Sequence, residues 1–321
     1  MEEQKPNIPP PPPGVIQALT GGFNAVANQV ALIIIPISFD VFLWMGPRLK
    51  VSALISPILA KLAALQPPSE ASQMGMKILQ DIIEGMNYFA TMRTFPLGIF
   101  SLMTVNLSGK NPLGARIDLE IDSLFNLFAW TVLLTIAGWV GGSLYFYLTS
   151  RAALKDSQAP SPQRSLLQAV LLSLMLSFLL TLLSLPLGML TVIGSMSFLA
   201  NFFTVLLIFW IGMPIFFSSH AIFLDGRNAF ASIQHSFRVV RFAMPSLGWF
   251  ALAALLISQG MDLLWRVPPA ESWMTLVGIF GHAFISTSLL AASFIYFRNL
   301  SAWVDSALEW LKSQKTFSVR A

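Results

Sequence analysis

The chain of 321 residues contains no cysteine and few charged residues. Charged residues make up 11 % of the sequence and hydrophobic residues 55 %, whereas about a quarter of the residues in ordinary soluble domains are charged. Without cysteine, these residues cannot form disulfides, iron–sulfur clusters or thiolate zinc sites. So much apolar surface predicts that the chain folds in lipid and not in water.

The longest stretch without a charge predicts two membrane spans. No Asp, Glu, Lys or Arg occurs between Arg164 and Asp225. As one straight helix this stretch would be about 90 Å long, roughly three times the hydrocarbon thickness of a bilayer. The chain must therefore turn back. Pro186, Gly188 and Gly194 mark the turn, since proline ends a helix and glycine relaxes the backbone.

The same length test predicts an all-α, polytopic helix bundle that forms a single membrane domain over residues 14–297. We expect about six transmembrane helices, at approximately 28–46, 123–149, 165–186, 196–222, 246–264 and 272–297. The other segments are a disordered proline-rich tail, an outer amphipathic cap, a cytoplasmic amphipathic elbow and an amphipathic C-terminal tail, at 1–13, 47–122, 224–242 and 298–321.

Basic residues predict the orientation of these spans. Two connections on one side carry six of them, namely Arg151, Lys155 and Arg164 before the third span and Arg227, Arg238 and Arg241 in the elbow. Short basic connections face the cytoplasm, so we expect both termini there and the protein in a plasma (inner) membrane. Arg48 and Lys50 follow the first span and oppose this orientation, but the charge rule applies mainly to short loops. Trp44, Trp265 and Trp273 fall at outer ends of spans, where interfacial aromatics collect.

The elbow is predicted to be a short helix that begins at an N-cap, Asp225. At helical spacing, one face carries Ala229, Ile233, Phe237 and Val240, and the other carries Arg227, Gln234, His235, Arg238 and Arg241. A cationic amphipathic helix suits an anionic lipid surface. Arg227, Arg238 and Arg241 are therefore candidate contacts to lipid, the alternative being a coupling helix that docks a cytoplasmic or membrane protein partner.

The cap contains an apolar run that is too short to cross a bilayer. Residues 94–107, "TFPLGIFSLMTVNL", number 14, whereas a transmembrane helix needs about 20. This run is typical of a re-entrant or an interfacial segment, and the sequence leaves both open.

Three ionisable residues fall inside predicted spans, where they are costly and hence candidates for function. Asp40 lies in the outer half of the first span, Asp262 near the outer end of the fifth and His282 near the middle of the sixth. One hypothesis is a polar path through which these three move a proton or bind a cation. The alternative is that both aspartates reach the outer interface and His282 hydrogen-bonds to a neighbouring helix.

Sequence motifs for catalysis and for nucleic-acid binding are missing. The three histidines, His220, His235 and His282, have no metalloprotease spacing, and no nucleophile elbow or P-loop occurs. The arginines are scattered among the connections, so they form no surface that would follow a phosphate backbone. We therefore expect no enzyme, no cofactor, no metal and no nucleic-acid partner.

A small-residue motif lies in the second span. Gly138 and Gly142 have GxxxG spacing, which lets another helix approach closely. The motif predicts helix packing, either inside the bundle or as a homodimer seam, and the oligomeric state stays open.

The run "FLDGRNAFASIQHSFRVVRFAMPSLGWF" resembles a pattern of uncharacterised bacterial multi-pass membrane proteins. This group includes the membrane domain attached to some glycerophosphodiester phosphodiesterases. An acidic-Gly turn precedes an Ala/Ile-x-x-Ser helix with a basic residue, matched here by Asp225, Gly226, Ala231 or Ile233, Ser236 and Arg238. The resemblance covers about residues 195–297.

The resemblance implies a six-helix membrane module without the phosphodiesterase activity, because no soluble catalytic domain is present in these residues. We expect a non-enzymatic membrane scaffold or accessory module. The alternative is a transporter or permease component for a small or lipid-like solute.

Overall fold

A computed structural model of the protein describes residues 11–65, 70–154, 160–193 and 198–318. These residues are almost entirely helical, which confirms the predicted all-α class. The helices are α1 (Val15–Asn28), α2 (Ile34–Met45), α3 (Ser52–Leu65), α4 (Glu70–Gly85), α5 (Leu124–Leu154), α6 (Pro162–Ile193), α7 (Phe198–Asp225), α8 (Ala229–Trp265) and α9 (Thr275–Ser318). Four short strands are β1 (Arg48–Lys50), β2 (Lys110–Asn111), β3 (Gly114–Ala115) and β4 (Asp118–Glu120).

Four of the helices are long and apolar enough to cross a membrane: α5, α6 over Pro162–Leu182, α8, and α9 over Thr275–Lys312. Helix α1 and the segment Val30–Met45 pass the same test together, but the chain bends by 93° between them. The described part of the chain thus supplies four helices of membrane-spanning length, or five candidates with this bent pair, where the sequence predicted six. The predicted span 196–222 corresponds to α7. For the first residues of α7 the structure describes the backbone but not the side chains.

Two predictions meet the limits of the described residues. The proline-rich tail, 1–13, lies outside them apart from its last residues. No turn occurs at Pro186 or Gly188, where the sequence predicted one, because α6 continues through both residues to Ile193. Gly194 itself lies outside the described residues.

The chain divides into two compact units. The first unit consists of Met1–Gln29, Phe146–Ile257 and Ser288–Ala321, and the second of Val30–Tyr145 and Ser258–Thr287. In the first unit, apolar side chains of α1, α7, α8 and α9 form the core, among them Ala18, Phe217, Val240, Leu247, Phe250, Tyr296 and Leu300. Helix α1 lies close against α9, since a Cβ on Gly22 would lie 2.4 Å from the Ser288 carbonyl oxygen.

Helix α8 contains both the elbow and the predicted fifth span. Its N-cap is Asn228, whose Oδ1 accepts the Ala231 N–H at 2.8 Å. Asp225, the predicted cap, is instead the last residue of α7. The helix bends at Ala243, which has non-helical φ and ψ, because Pro245 disfavours helical geometry in the preceding turn.

The buried face of the elbow differs from the prediction. His235, expected among the arginines, is buried, with its Nε2 3.2 Å from Ser301 Oγ. Ser236 Oγ donates to the Pro214 carbonyl at 2.7 Å. Phe237, expected on the apolar face, is 41 % exposed, whereas Ala229 and Val240 of that face are buried. The prediction was wrong for His235 and Phe237 because residues that hydrogen-bond across helices take inner positions here, and hydrophobicity alone does not rank them.

In the second unit, a polar cluster of Arg48, Lys50, Arg116 and Asp118 lies at the C-terminal end of α2. Strand β1 pairs in parallel with β4, with Arg48 opposite Asp118, and β2 pairs antiparallel with β3. The predicted cap, 47–122, therefore contains more than amphipathic helices: α3 and α4 are followed by an irregular segment and these strands.

Candidate functional site: a buried carboxylate and an aspartate–histidine pair

Asp40 lies on α2 and is fully buried. Its carboxylate accepts three hydrogen bonds, from the Ser101 hydroxyl, from the Leu102 N–H at 3.1 Å and from the Met103 N–H at 3.0 Å. These donors stand at the start of the short 3-10 helix Met103–Val105, where backbone N–H groups have no helical acceptor. The carboxylate therefore joins α2 to the segment that contains residues 101–103.

That segment is the apolar run 94–107, and it is irregular and largely buried. Leu97, Ile99 and Leu102 are buried, and the only regular element within the run is the 3-10 helix at its end. Irregular backbone needs partners for its polar groups when water is excluded. The Asp40 carboxylate accepts from two of those backbone groups and from the Ser101 hydroxyl, which no feature of the apolar run itself indicates.

Gly138 and Gly142 on α5 contact this irregular segment. A Cβ on Gly138 would lie 2.4 Å from the Met92 carbonyl oxygen, and one on Gly142 would lie 2.8 Å from the Leu97 carbonyl oxygen. The predicted close approach is present, but in this unit the partner is the backbone of residues 92–98 and not another helix.

The other two predicted polar residues form a direct pair. Asp262 on α8 lies 2.7 Å from His282 Nδ1 on α9, and Arg266 extends from the same face at 3.7 Å from the second Asp262 oxygen. His282 is buried, and its Nε2 has no hydrogen-bond partner in the described part of the chain. No hydrogen bond joins Asp40 to either residue among those described.

A cleft of about 460 Å³ opens beside this pair. The end of the irregular segment and the connection from α8 to α9 line it, including Leu102, Asn106, Trp265, Arg266, Pro268 and Thr275. Its one charged lining side chain is Arg266, and this arginine also contacts Asp262.

The polar cluster at the end of α2 consists of paired charges. Arg48 donates two hydrogen bonds to Asp118, from Nε and an Nη, both at 2.7 Å, and Lys50 Nζ lies 3.5 Å from the same carboxylate. Burial alone would raise the pKa of Asp118, but the hydrogen bond and positive charge of Arg48, with Lys50, hold it below its usual value of 3.8.

Arg116 in this cluster binds the last carbonyls of α2. Its guanidinium donates to the Leu43 carbonyl at 2.6 Å and to the Gly46 carbonyl at 3.1 and 3.0 Å. Burial, helped by the positive charge of Arg48, lowers the pKa of Arg116 to about 10. The guanidinium is therefore still protonated at neutral pH and satisfies carbonyls that have no helical partner.

His220 forms a hydrogen bond between two helices that the sequence did not predict. In the first unit, its Nε2 lies 2.8 Å from Ser293 Oγ, which joins α7 to α9. Four phenylalanine rings surround it with centroids within 5.8 Å, those of Phe216, Phe217, Phe294 and Phe297. The sequence offers only a "SSH" triplet as a signal, because Ser293 is 73 residues away.

The three arginines of the elbow have different surroundings. Arg227 pairs with Asp225 at 2.7 Å. Arg238 and Arg241 are exposed, and neither forms an ion pair within the described ranges.

No group of three or more metal-ligating side chains occurs among the described residues. Comparison with protein families, with curated proteins and with solved structures finds no match to this chain.

Proposed function

We propose that this protein is a multi-pass integral membrane protein without catalytic activity, acting as a scaffold or accessory module in a plasma (inner) membrane. Four to five helices of membrane-spanning length support insertion. The resemblance of Asp225, Gly226, Ser236 and Arg238 to the membrane domain of some phosphodiesterases supports the same role.

The observation that carries the proposal is the use of Asp40. An ionisable residue in a transmembrane helix usually marks a pathway for ions or protons. Here all three hydrogen bonds to the carboxylate come from residues 101–103, so its acceptor capacity holds the irregular segment in place. We infer that residues 94–107 are re-entrant, since buried irregular backbone is tolerated at membrane depth when protein groups satisfy it.

The proposed orientation puts both termini in the cytoplasm and the cap outside. Arg48 and Lys50 opposed this orientation in the sequence. They pair with Asp118 and Glu120, and the length of the cap that follows them weakens the charge rule at this position. Trp44 and Trp273, with ring centroids 5.9 Å apart, mark one interface level, where tryptophans collect.

A transporter or permease component is the second candidate. The unpartnered Nε2 of buried His282, paired through Nδ1 with Asp262, favours it. An imidazole nitrogen without a protein partner is available to a solute, and the cleft lined by Arg266 lies beside the pair. Water at His282 is what this candidate requires and the scaffold does not.

Single cysteines in the cysteine-free chain separate these candidates. Intact cells carrying Gln73→Cys on α4, Gln234→Cys on the elbow or Ser286→Cys on α9 would be treated with a membrane-impermeant maleimide. Gln73 and Gln234 are exposed, whereas Ser286 is buried one helical turn after His282. We expect Gln73→Cys to react at once, Gln234→Cys to react only after permeabilisation and Ser286→Cys to stay unlabelled.

The opposite pattern at Gln73 and Gln234 would invert the orientation. Immediate reaction of both would contradict membrane insertion between them. Reaction of Ser286→Cys in a folded protein would show water in the bundle and favour the transporter over the scaffold.

A further inference from the structure

The exposed face of the elbow carries aromatic rings and cations together. Phe230, Phe237 and Phe242 are 61, 41 and 39 % exposed, and the guanidinium groups of Arg238 and Arg241 are exposed on the same short helix. The sequence pattern had placed Phe237 on the opposite face from these arginines, so this combination is visible only in the folded chain.

The position of this face is fixed by its buried side. Ser236 donates to Pro214, His235 lies against Ser301, and the Ala229 N–H donates to Gln168 Oε1 at 2.9 Å. These contacts hold the helix at its start and in the middle. The phenylalanines therefore cannot turn inward without breaking buried hydrogen bonds.

The charge of the face comes from Arg238 and Arg241, which form no ion pair with the residues that the structure describes. No acidic residue occurs between Asp225 and Asp262, and Asp225 already pairs with Arg227. Arg238 and Arg241 are three positions apart on a helix, so their side chains are neighbours. Two adjacent guanidinium groups suit the oxygens of one phosphate.

We propose that this face binds anionic phospholipid, with Arg238 and Arg241 holding a headgroup phosphate while Phe230, Phe237 and Phe242 lie among the upper acyl chains. Rings beside cations fit the boundary between headgroups and hydrocarbon, where each has a suitable environment. An acidic soluble protein would match the charge but would leave the exposed rings in water. The inference rests on the proposed membrane insertion and adds a lipid class to it.

The test uses the full chain with a bimane fluorophore at Gln234→Cys, between Phe230 and Arg238 on the exposed face. The protein is reconstituted in nanodiscs that contain nitroxide-labelled phosphatidylglycerol or, at equal mole fraction, nitroxide-labelled phosphatidylcholine. A second reporter at Leu255→Cys, an exposed position in the predicted fifth span, measures membrane insertion independently.

We expect the labelled phosphatidylglycerol to quench Gln234→Cys more strongly than the labelled phosphatidylcholine. Arg238→Gln or Arg241→Gln should each reduce the local enrichment of anionic lipid about fivefold, and high salt should reduce it as well. The matched control is Arg164→Gln, which removes an exposed arginine from the first turn of α6 and should leave the enrichment unchanged.

Equal quenching by both lipids, or enrichment that survives the double substitution, would overturn the inference. So would quenching of Gln234→Cys by aqueous iodide alone, which would show that the face lies in water and not against lipid. If Leu255→Cys is quenched at depth in these cases, membrane insertion stands and only the lipid site fails. If Leu255→Cys is also open to iodide, the proposed function fails with it.

Discussion

Replacing Asp40 with alanine removes the acceptor for three buried hydrogen bonds. A buried donor left without a partner costs about 1–3 kcal/mol. The Ser101 hydroxyl can rotate toward another acceptor, but the N–H groups of Leu102 and Met103 cannot, which gives about 2–6 kcal/mol for the pair. Alanine also removes the cost of burying a carboxylate, so we expect a loss in the lower half of that range. The Asp40→Asn substitution keeps one acceptor oxygen, so this variant should lose about half as much.

The measurement is equilibrium unfolding of the purified protein in mixed micelles with increasing dodecyl sulfate, followed by tryptophan fluorescence. Hydrogen exchange at Leu102 and Met103 reports the same contacts locally and should accelerate in Asp40→Ala. Asp81→Ala is the matched control, because Asp81 is exposed on α4 and should change stability by less than about 0.5 kcal/mol. If Asp40→Ala were as stable as the control and exchange at these two amides were unchanged, the structural role of Asp40 would be refuted.

Three further substitutions test the second unit. Gly138→Ala or Gly142→Ala should destabilise the fold by about 1–3 kcal/mol, because the new methyl group would overlap the backbone of residues 92–98. Gly141→Ala should be neutral or stabilising in the same unfolding assay, since its nearest neighbour lies at 3.4 Å. Asp118→Asn should lower the thermal stability at neutral pH. Because the folded state lowers the pKa of Asp118, the carboxylate stabilises the fold above its unfolded pKa of about 3.9, and this contribution is lost as the pH falls through the lower folded value.

For each of these tests, one outcome would contradict the prediction. Equal effects of Gly138→Ala and Gly141→Ala would mean that residues 92–98 do not pack closely on α5. Equal melting temperatures of the wild type and Asp118→Asn at neutral pH would mean that the Arg48–Asp118 pair does not stabilise the fold. Asp122→Asn, at an exposed aspartate, controls for the general loss of negative charge.

The candidate site could be predicted only in part. Asp40, Asp262 and His282 stood out because ionisable residues are rare in apolar runs, and hydropathy detects that directly. Their partners did not stand out. Ser101 is 61 residues from Asp40, and Asp262 is 20 from His282, so only the packing of helices sets these distances. The sequence suggested one path through three residues. In the second unit, Asp40 instead accepts hydrogen bonds from backbone N–H groups, and Asp262 pairs with His282.

The length and composition of its apolar runs alone determined that this protein is helical and suited to lipid, because a charge-free run must satisfy its own backbone hydrogen bonds. The tertiary structure decided the rest. It placed an irregular segment against Gly138 and Gly142, used Asp40 to satisfy that segment, and turned Phe237 outward beside Arg238. The spacing of hydrophobic residues along a helix shows which residues avoid water. Buried hydrogen bonds and close backbone contacts select the face of the helix that packs. These contacts join residues that are far apart in the chain, so the sequence pattern does not show them.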